Sequence, residues 1–115
     1  VIDDSTAEAK SVKKVVFCTG KIFYDLIEIK KKEAISEIAI VRIEQLYPFP
    51  TKQINEIIAK YKGATEFVWA QEEPENMGAW VHMYMAFRNT KLPQGKELKY
   101  VGRKSAASPA TGYSK

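Results

Sequence analysis

The feature that most constrains the fold is an alternation of short, continuous apolar runs with stretches of helical spacing. Val15–Cys18 is one such run, and its lack of polar residues predicts a strand that is covered on both faces. Ile22, Leu26 and Ile29 follow it at helical spacing. The pattern recurs twice before a last strand at 98–102. This β-α-β-α-β-α-β order predicts a three-layer α/β/α domain with a mainly parallel sheet, because helix-length crossovers join parallel strands.

The later elements are predicted in the same way. They are a strand at 38–43, a helix carrying Ile54, Ile57, Ile58 and Tyr61, a strand at 67–71, a helix carrying Trp80, Met83, Tyr84 and Phe87, and the strand at 98–102. Thr51 is the predicted cap of the second helix, and Gly63 its end. Alternation of apolar and charged residues predicts that the last strand lies near a sheet edge.

The first 12 residues differ in composition from the rest. Residues 3–11 are polar and small, which predicts a linker or a frayed start to a domain at 13–115. The chain begins with Val1 rather than Met, and we interpret it as cut from something longer. No apolar stretch approaches the length of a membrane span, and no leader typical of secretion precedes Lys13.

The cysteine content and the charge distribution argue against a reactive thiol and against nucleic-acid binding. Cys18 is the single cysteine, and its apolar neighbours predict a buried, reduced, unreactive thiol. The net charge is +4, and the residues from 89 onward include six cations and one anion. This end lacks the dense cluster of cations interleaved with aromatic residues that is typical of nucleic-acid binding. A smaller anion or an acidic partner fits it better.

Polar segments at the carboxyl ends of parallel strands are the places to look for a site. Thr19, Gly20 and Lys21 lie between a strand and a helix, where free N–H groups and the helix dipole favour an anion. With Arg42 and Arg103, they form a predicted anion-binding corner. The simpler interpretation is a helix cap with a solvated lysine. In that case the partner of Arg42 is predicted to be Glu44 or the Glu72–Glu73 pair.

A second polar segment, Glu72–Trp80, follows the third strand. Glu72, Glu73 and Glu75 raise the possibility of acid–base chemistry or a metal site. His82 is the only histidine, however, and adjacent carboxylates on an extended chain point to opposite sides. The predicted site is therefore neither catalytic nor metal-binding.

The same segment is better interpreted as a surface that fits another surface. Its predicted interface residues are Glu72, Glu73, Asn76, Met77, Gly78 and Trp80. Large apolar groups beside a turn are typical of interface anchors, and a glycine permits close approach of a backbone. An alternative, in which Glu72 or Glu73 reaches the mouth of an active site, stays open.

Four stretches of sequence indicate a protein family, which composition alone does not. "VVFCTGKIFYDL" (15–26), "IAIVRIEQLYPFP" (38–50), "FVWAQEEPENMGAW" (67–80) and "LKYVGRKSAASPATGY" (98–113), in this order and spacing, resemble the C-terminal domain of the thiamine-diphosphate-dependent first component of 2-oxoglutarate dehydrogenase. The resemblance runs from about Val12 to Tyr113. The related 2-oxoadipate dehydrogenase, and a decarboxylase fused to an acyltransferase, have similar C-terminal ends and remain alternatives.

The resemblance implies a parent that is a homodimer and acts in the tricarboxylic acid cycle. It decarboxylates 2-oxoglutarate with thiamine diphosphate and Mg2+ and then succinylates a lipoyl group on an acyltransferase component. Its location is the bacterial cytoplasm or the mitochondrial matrix. Both cofactors are expected to bind to preceding domains, so that these 115 residues hold neither and are inactive alone. The resemblance implies that the domain packs against the preceding domains and the partner subunit. It also implies an alternative, a module that senses a nucleotide or an acyl-CoA, with AMP or acetyl-CoA as the effector bound at the predicted corner of Thr19, Gly20, Lys21, Arg42 and Arg103.

The family's sheet also implies an antiparallel strand before the first parallel one. Val1–Asp3 resembles the end of that strand. The chain is therefore expected to lack most of this strand and to have an exposed sheet edge.

Overall fold

The computed structural model describes residues 1–93 and 95–102. The elements are a short 3-10 turn at Ala9–Ser11, β1 (Lys14–Cys18), α1 (Ile22–Lys32), β2 (Ile38–Arg42), α2 (Thr51–Lys60), β3 (Glu66–Gln71), α3 (Trp80–Phe87) and β4 (Leu98–Gly102). These bounds agree with the predicted order of strands and helices.

All four strands are parallel and lie in the order β2-β1-β3-β4. Val16 of β1, for example, pairs with Ile40 of β2 on one side and with Val68 of β3 on the other. The predicted three-layer α/β/α fold is confirmed, and β4 lies at a sheet edge as its alternation predicted.

The direction of each crossover decides which face a helix covers. The step from β1 to β2 moves one way across the sheet, whereas the steps to β3 and then β4 move the other way. Because crossovers between parallel strands are right-handed, α1 must cover one face and α2 and α3 the opposite face. The side chains follow this division. Phe23 of α1 packs in a small cluster with Ile40, whereas Ile54 of α2 and Met83 of α3 share the larger core with Phe17.

The same rule leaves part of the α1 face without a helix in the described part of the chain. A groove of about 500 Å³ runs beside α1 over the sheet. Val16, Val68 and Val101 form its floor, and Leu26 and Ile29 of α1 form a wall.

The first four residues lie along the outer edge of β2. Ile2 forms an antiparallel bridge with Arg42, in which each backbone N–H donates to the other's carbonyl at 2.8 Å. Asp3 accepts hydrogen bonds from Lys60 and from the Tyr61 hydroxyl, both at the end of α2. The sequence predicted either a linker or the end of an antiparallel strand for this segment, and the antiparallel Ile2–Arg42 bridge agrees with the second alternative.

Asp4 is fastened to the opposite layer. Its carboxylate is 2% exposed and accepts a hydrogen bond from Lys30 Nζ of α1 at 2.6 Å and from the Ile40 N–H at 3.0 Å. Thr6 donates from both its N–H and its hydroxyl. Burial alone would raise the pKa of Asp4, but the hydrogen bonds from Lys30, Thr6 and Ile40 outweigh it and lower the pKa below its ordinary value.

Two details of helix α2 differ from the prediction. Thr51 is its first helical residue rather than its cap, and Pro50 occupies the cap position without a side-chain hydrogen bond. The helix also ends at Lys60, before Gly63. The cis peptide bond between Tyr47 and Pro48 precedes this helix.

The buried ion pair between Asp4 and Lys30 gives the first testable prediction. Asp4→Asn leaves the Lys30 ammonium without a carboxylate inside the protein, and removing one partner of a buried pair costs about 3–5 kcal/mol. We expect urea denaturation at pH 7 to show a loss of unfolding free energy of about that size. Asp25→Asn, an exposed carboxylate on the same α1 helix, is the control, with an expected change within about 0.5 kcal/mol.

The pH dependence of stability follows from the lowered pKa of Asp4. Its contribution is fully present above the ordinary carboxyl pKa of about 3.9 and is lost as the pH falls through the folded-state value. The wild type should therefore lose stability more steeply than Asp4→Asn in this acid range. Equal slopes for the two proteins would contradict the assignment.

Candidate functional site

The carboxyl ends of β1 and β3 border a cavity of about 290 Å³. Its lining brings together the two segments that the sequence singled out. One wall comes from Thr19, Gly20, Lys21 and Ile22, and the other from Trp69, Ala70, Gln71, Glu72, Glu73, Gly78 and Ala79. Neighbouring parallel strands explain this meeting, because β1 and β3 end at the same edge of the sheet.

The first wall has the shape expected of a strand-to-helix turn. Gly20 has a φ of 77°, a left-handed conformation that favours glycine. Helix α1 has no side-chain cap, and the N–H groups of Phe23 and Tyr24 donate to the carbonyls of Gly20 and Lys21. The Thr19 hydroxyl donates to the Ile43 carbonyl at 2.8 Å, so this side chain ties the end of β1 to the residue after β2. Lys21 is exposed at the rim.

Gln71 organises the second wall, and sequence reasoning missed it. This side chain is 4% exposed. Its Oε1 accepts from Trp69 Nε1 at 2.8 Å, while its Nε2 donates to the carbonyls of Met77 at 2.6 Å and Pro74 at 3.0 Å, with that of Glu73 at 3.3 Å. One amide thus holds the turn in place from inside. A polar residue at the end of a buried strand, two residues after a tryptophan, was the available signal.

Gly78 is required by this arrangement. Its φ is 73°, and a Cβ there would lie 3.0 Å from Gln71 Oε1 and 3.0 Å from Glu73 Oε1. The sequence predicted that Gly78 permits close approach of a partner's backbone. Within this chain, its close neighbours are two side chains of its own turn, and the approach of a partner's backbone stays a prediction.

The carboxylates of this turn are accessible to solvent. Glu72, Glu73 and Glu75 are exposed, and none of them takes part in an ion pair among the described residues. In the described ranges, no group of three or more histidine, cysteine and acidic side chains is placed to hold a metal ion. The structure therefore presents three uncompensated negative charges on a turn that Gln71 holds.

The predicted apolar anchors occupy two different environments. Met77 is 59% exposed, and Asn76 beside it is also exposed. Trp80, at the start of α3, is half-buried against the larger core, with its ring 5.5 Å from Tyr84 and 5.6 Å from Tyr100. Trp80 thus packs within its own domain, whereas Met77 is available to another surface.

Arg42 lies apart from the cavity. Its Nη1 donates to the Tyr24 hydroxyl at 3.1 Å, and its guanidinium carbon lies 5.4 Å from the centre of that ring. The sequence offered Glu44 or Glu72–Glu73 as its structural partner, but the partner in the structure is Tyr24. The Nε atom of Arg42 is buried without a hydrogen bond among the described residues. Arg103, the other predicted cation, lies outside the described residues.

Cys18 and His82 show no catalytic arrangement in the part of the chain described. Cys18 is buried and unpaired, and burial raises the pKa of its thiol to about 12, with Arg42 nearby lowering it to a smaller extent. A thiol with this pKa stays protonated and unreactive at neutral pH, as the sequence predicted. The His82 ring lies against Tyr47, with 4.5 Å between ring centres.

Fold and site together define a parallel α/β domain with polar turns gathered at one end of its sheet. The chain belongs to the family described as 2-oxoglutarate dehydrogenase C-terminal, whose model matches residues 1–115. This match confirms the resemblance of the four stretches. None of the described helices is long and apolar enough to cross a membrane.

Similar proteins are named as E1 components of 2-oxoglutarate or 2-oxoadipate dehydrogenases. The 2-oxoglutarate dehydrogenase E1 component of Geobacillus kaustophilus is 49% identical over 107 residues, which are 92% of this chain and 11% of that protein. The component of the same name from Haemophilus influenzae is 45% identical over 92% of this chain and 11% of its own length. A Dictyostelium discoideum protein named as a probable 2-oxoadipate dehydrogenase complex component E1 homolog is 42% identical over 96% of this chain and 12% of its own length. The chain spans only 11–13% of these and similar relatives.

The role of Gln71 gives the second prediction. Gln71→Met keeps the side chain's length but leaves Trp69 Nε1 and the carbonyls of Pro74 and Met77 without their partner. An unsatisfied buried group costs about 1–3 kcal/mol, so we expect a loss of about 2 kcal/mol or more in unfolding free energy. Amide hydrogen exchange should also become faster across the 72–78 turn.

Gln53→Met is the matched control, because Gln53 is exposed on α2. This variant should change the unfolding free energy by no more than about 0.5 kcal/mol. Equal stability of the Gln71 and Gln53 variants would show that the amide does not organise the turn.

Proposed function

We propose that the chain is the C-terminal domain of the first component of a 2-oxoglutarate dehydrogenase. In this proposal the parent protein decarboxylates 2-oxoglutarate and transfers the succinyl group to lipoyl groups of an acyltransferase component, in the bacterial cytoplasm or the mitochondrial matrix. The observation that carries it is the family match over all 115 residues, together with relatives of that name at 42–49% identity.

The chemistry is assigned to the remainder of the parent. Thiamine diphosphate with Mg2+ would supply the decarboxylation, but the acidic side chains described here do not fit as its metal ligands. Glu72, Glu73 and Glu75 are exposed on one turn, and the described residues contain no cluster suited to a metal ion. We therefore assign no catalytic step to this domain.

The proposed role of the domain is to pack against preceding domains and a second subunit. The turn at 72–78 supports this role because Gln71 fixes its shape from within and leaves its carboxylates without partners among the described ion pairs. A rigid acidic turn loses little conformational entropy on binding. It fits a basic surface, or backbone N–H groups, on a neighbouring domain.

A second candidate role is the binding of an anionic effector such as AMP or acetyl-CoA. The cavity supports it by placing Lys21 and the start of α1 on one wall. Two observations weaken it. Glu72 and Glu73 line the opposite wall and repel an anion, and the Thr19 hydroxyl already donates to Ile43. Arg42 would contribute only at longer range, since it does not line the cavity.

The activity of the full-length parent tests the main proposal. Purified with thiamine diphosphate and Mg2+, it should release CO2 from 2-oxoglutarate, and residues 1–115 alone should release none. Comparison with 2-oxoadipate decides between the two named kinds of relative. A higher kcat/KM for 2-oxoadipate would identify the parent as a 2-oxoadipate dehydrogenase component. Cofactor-dependent turnover by the 115-residue chain would contradict the assignment of the chemistry to other domains.

Titration of the amide resonances tests the effector role. AMP or acetyl-CoA at low salt should shift the signals of Thr19, Gly20 and Lys21. Lys21→Gln should weaken binding about tenfold, because a charge-assisted hydrogen bond contributes about 1.5–3 kcal/mol. Lys62→Gln, an exposed cation after α2, should leave the affinity unchanged. Unshifted amides at millimolar ligand, in both the domain and the parent, would exclude the role.

A further inference from the structure

An apolar surface lies on and beside α3. Among the described residues, six large hydrophobic side chains are highly exposed, and four of them belong to this region. They are Tyr47 (69% exposed), Met77 (59%), Val81 (65%) and Met85 (53%), and together they are called the α3 surface. Scattered exposed hydrophobic residues are normal in proteins, but a concentration of this kind marks an interaction site.

The helix itself accounts for the concentration. Its sequence, WVHMYMAF, contains no charged residue. Met83 and Phe87 point into the larger core, whereas Val81 and Met85, four residues apart, share the exposed side. A helix that is apolar on all sides is typical of one that is covered on all sides. The core covers only one side of α3 here.

Tyr47 extends this surface from α3 to the loop after β2. Its ring lies against His82 of α3, with 4.5 Å between ring centres. The Nε2 atom of His82 is buried and has no hydrogen-bond partner in the described ranges. The Tyr47–His82 contact therefore makes the loop after β2 part of the α3 surface.

The direction of the first residues indicates what covers the α3 surface. Ile2 pairs with Arg42 in antiparallel orientation, so the chain before Val1 points beyond the carboxyl end of β2. Val1 packs against the α2–α3 core, and its nitrogen lies 3.7 Å from Glu44, three residues before Tyr47. Any polypeptide that precedes Val1 therefore emerges on the same side as Tyr47.

We propose that the α3 surface is covered by the preceding part of the same polypeptide, at an intramolecular interface between domains. This inference rests on the proposed function, in which the chain is the C-terminal 11–13% of a longer protein. The covering segment presents an apolar face to Tyr47, Val81 and Met85. Its attachment at Val1 gives it a high effective concentration beside this surface.

Methionine oxidation tests whether the surface is covered, without any substitution. Of the chain's three methionines, Met83 is fully buried and is the internal control, whereas Met77 and Met85 belong to the α3 surface and are both more than half exposed. In the full-length parent treated with hydrogen peroxide, Met85 should oxidise at least tenfold more slowly than in the unfolded protein, as Met83 does. Oxidation of Met85 at the rate of the unfolded protein would overturn the proposal.

Cross-linking identifies the cover. A photoreactive phenylalanine analogue at position 81 of the full-length parent should yield cross-linked peptides from residues that precede Val1. Mixing ¹⁴N- and ¹⁵N-labelled parent distinguishes the alternatives: links within one isotope support the proposal, whereas mixed-isotope links assign the surface to a second copy and overturn it. The same analogue at Ala59, exposed on α2, is the control and should give few links. Both measurements are independent of the substrate, so they stand even if the parent proves to act on another 2-oxo acid.

Discussion

The handedness of the crossovers is the constraint on which the rest of this structure depends. Because β1 lies between β2 and β3, the first connection and the later two run in opposite directions and place their helices on opposite faces. The same parallel arrangement brings the ends of β1 and β3 side by side, so that Gly20 and Gly78 border one cavity. The position of the cavity is thus determined by the order of the strands, and the side chains determine only its lining.

Sequence patterns predicted the elements well because their signals are local. Val15–Cys18 is short and wholly apolar, and Ile54, Ile57 and Ile58 repeat at helical spacing, so each element could be identified within its own residues. The turn at Thr19–Lys21 and the turn at Glu72–Gly78 could also be predicted to lie close together, because the carboxyl ends of parallel strands lie at one edge of the sheet. The motifs of the four stretches then specified the family, which periodicity alone does not.

The contacts that could not be predicted are those made by polar side chains across large distances in sequence. Asp4 looks like a residue of a linker until Lys30 and Ile40 are seen to surround it. Gln71 bonds within its own turn, but its orientation depends on how Trp69 packs. Arg42 was predicted to join the anion-binding corner or, alternatively, to pair with a carboxylate, yet its partner is the Tyr24 hydroxyl of α1. Composition carries no information about such pairings.

The first residues have a mechanical consequence. Asp3 is bonded to the end of α2 and Asp4 to α1, so two adjacent residues join both outer layers of the domain to the edge of its sheet. A force on the chain at Val1 would load these side-chain bonds and the Ile2–Arg42 bridge together, in shear along β2. Movement of whatever is attached there would be transmitted to both helical layers at once, rather than being absorbed by a slack connection.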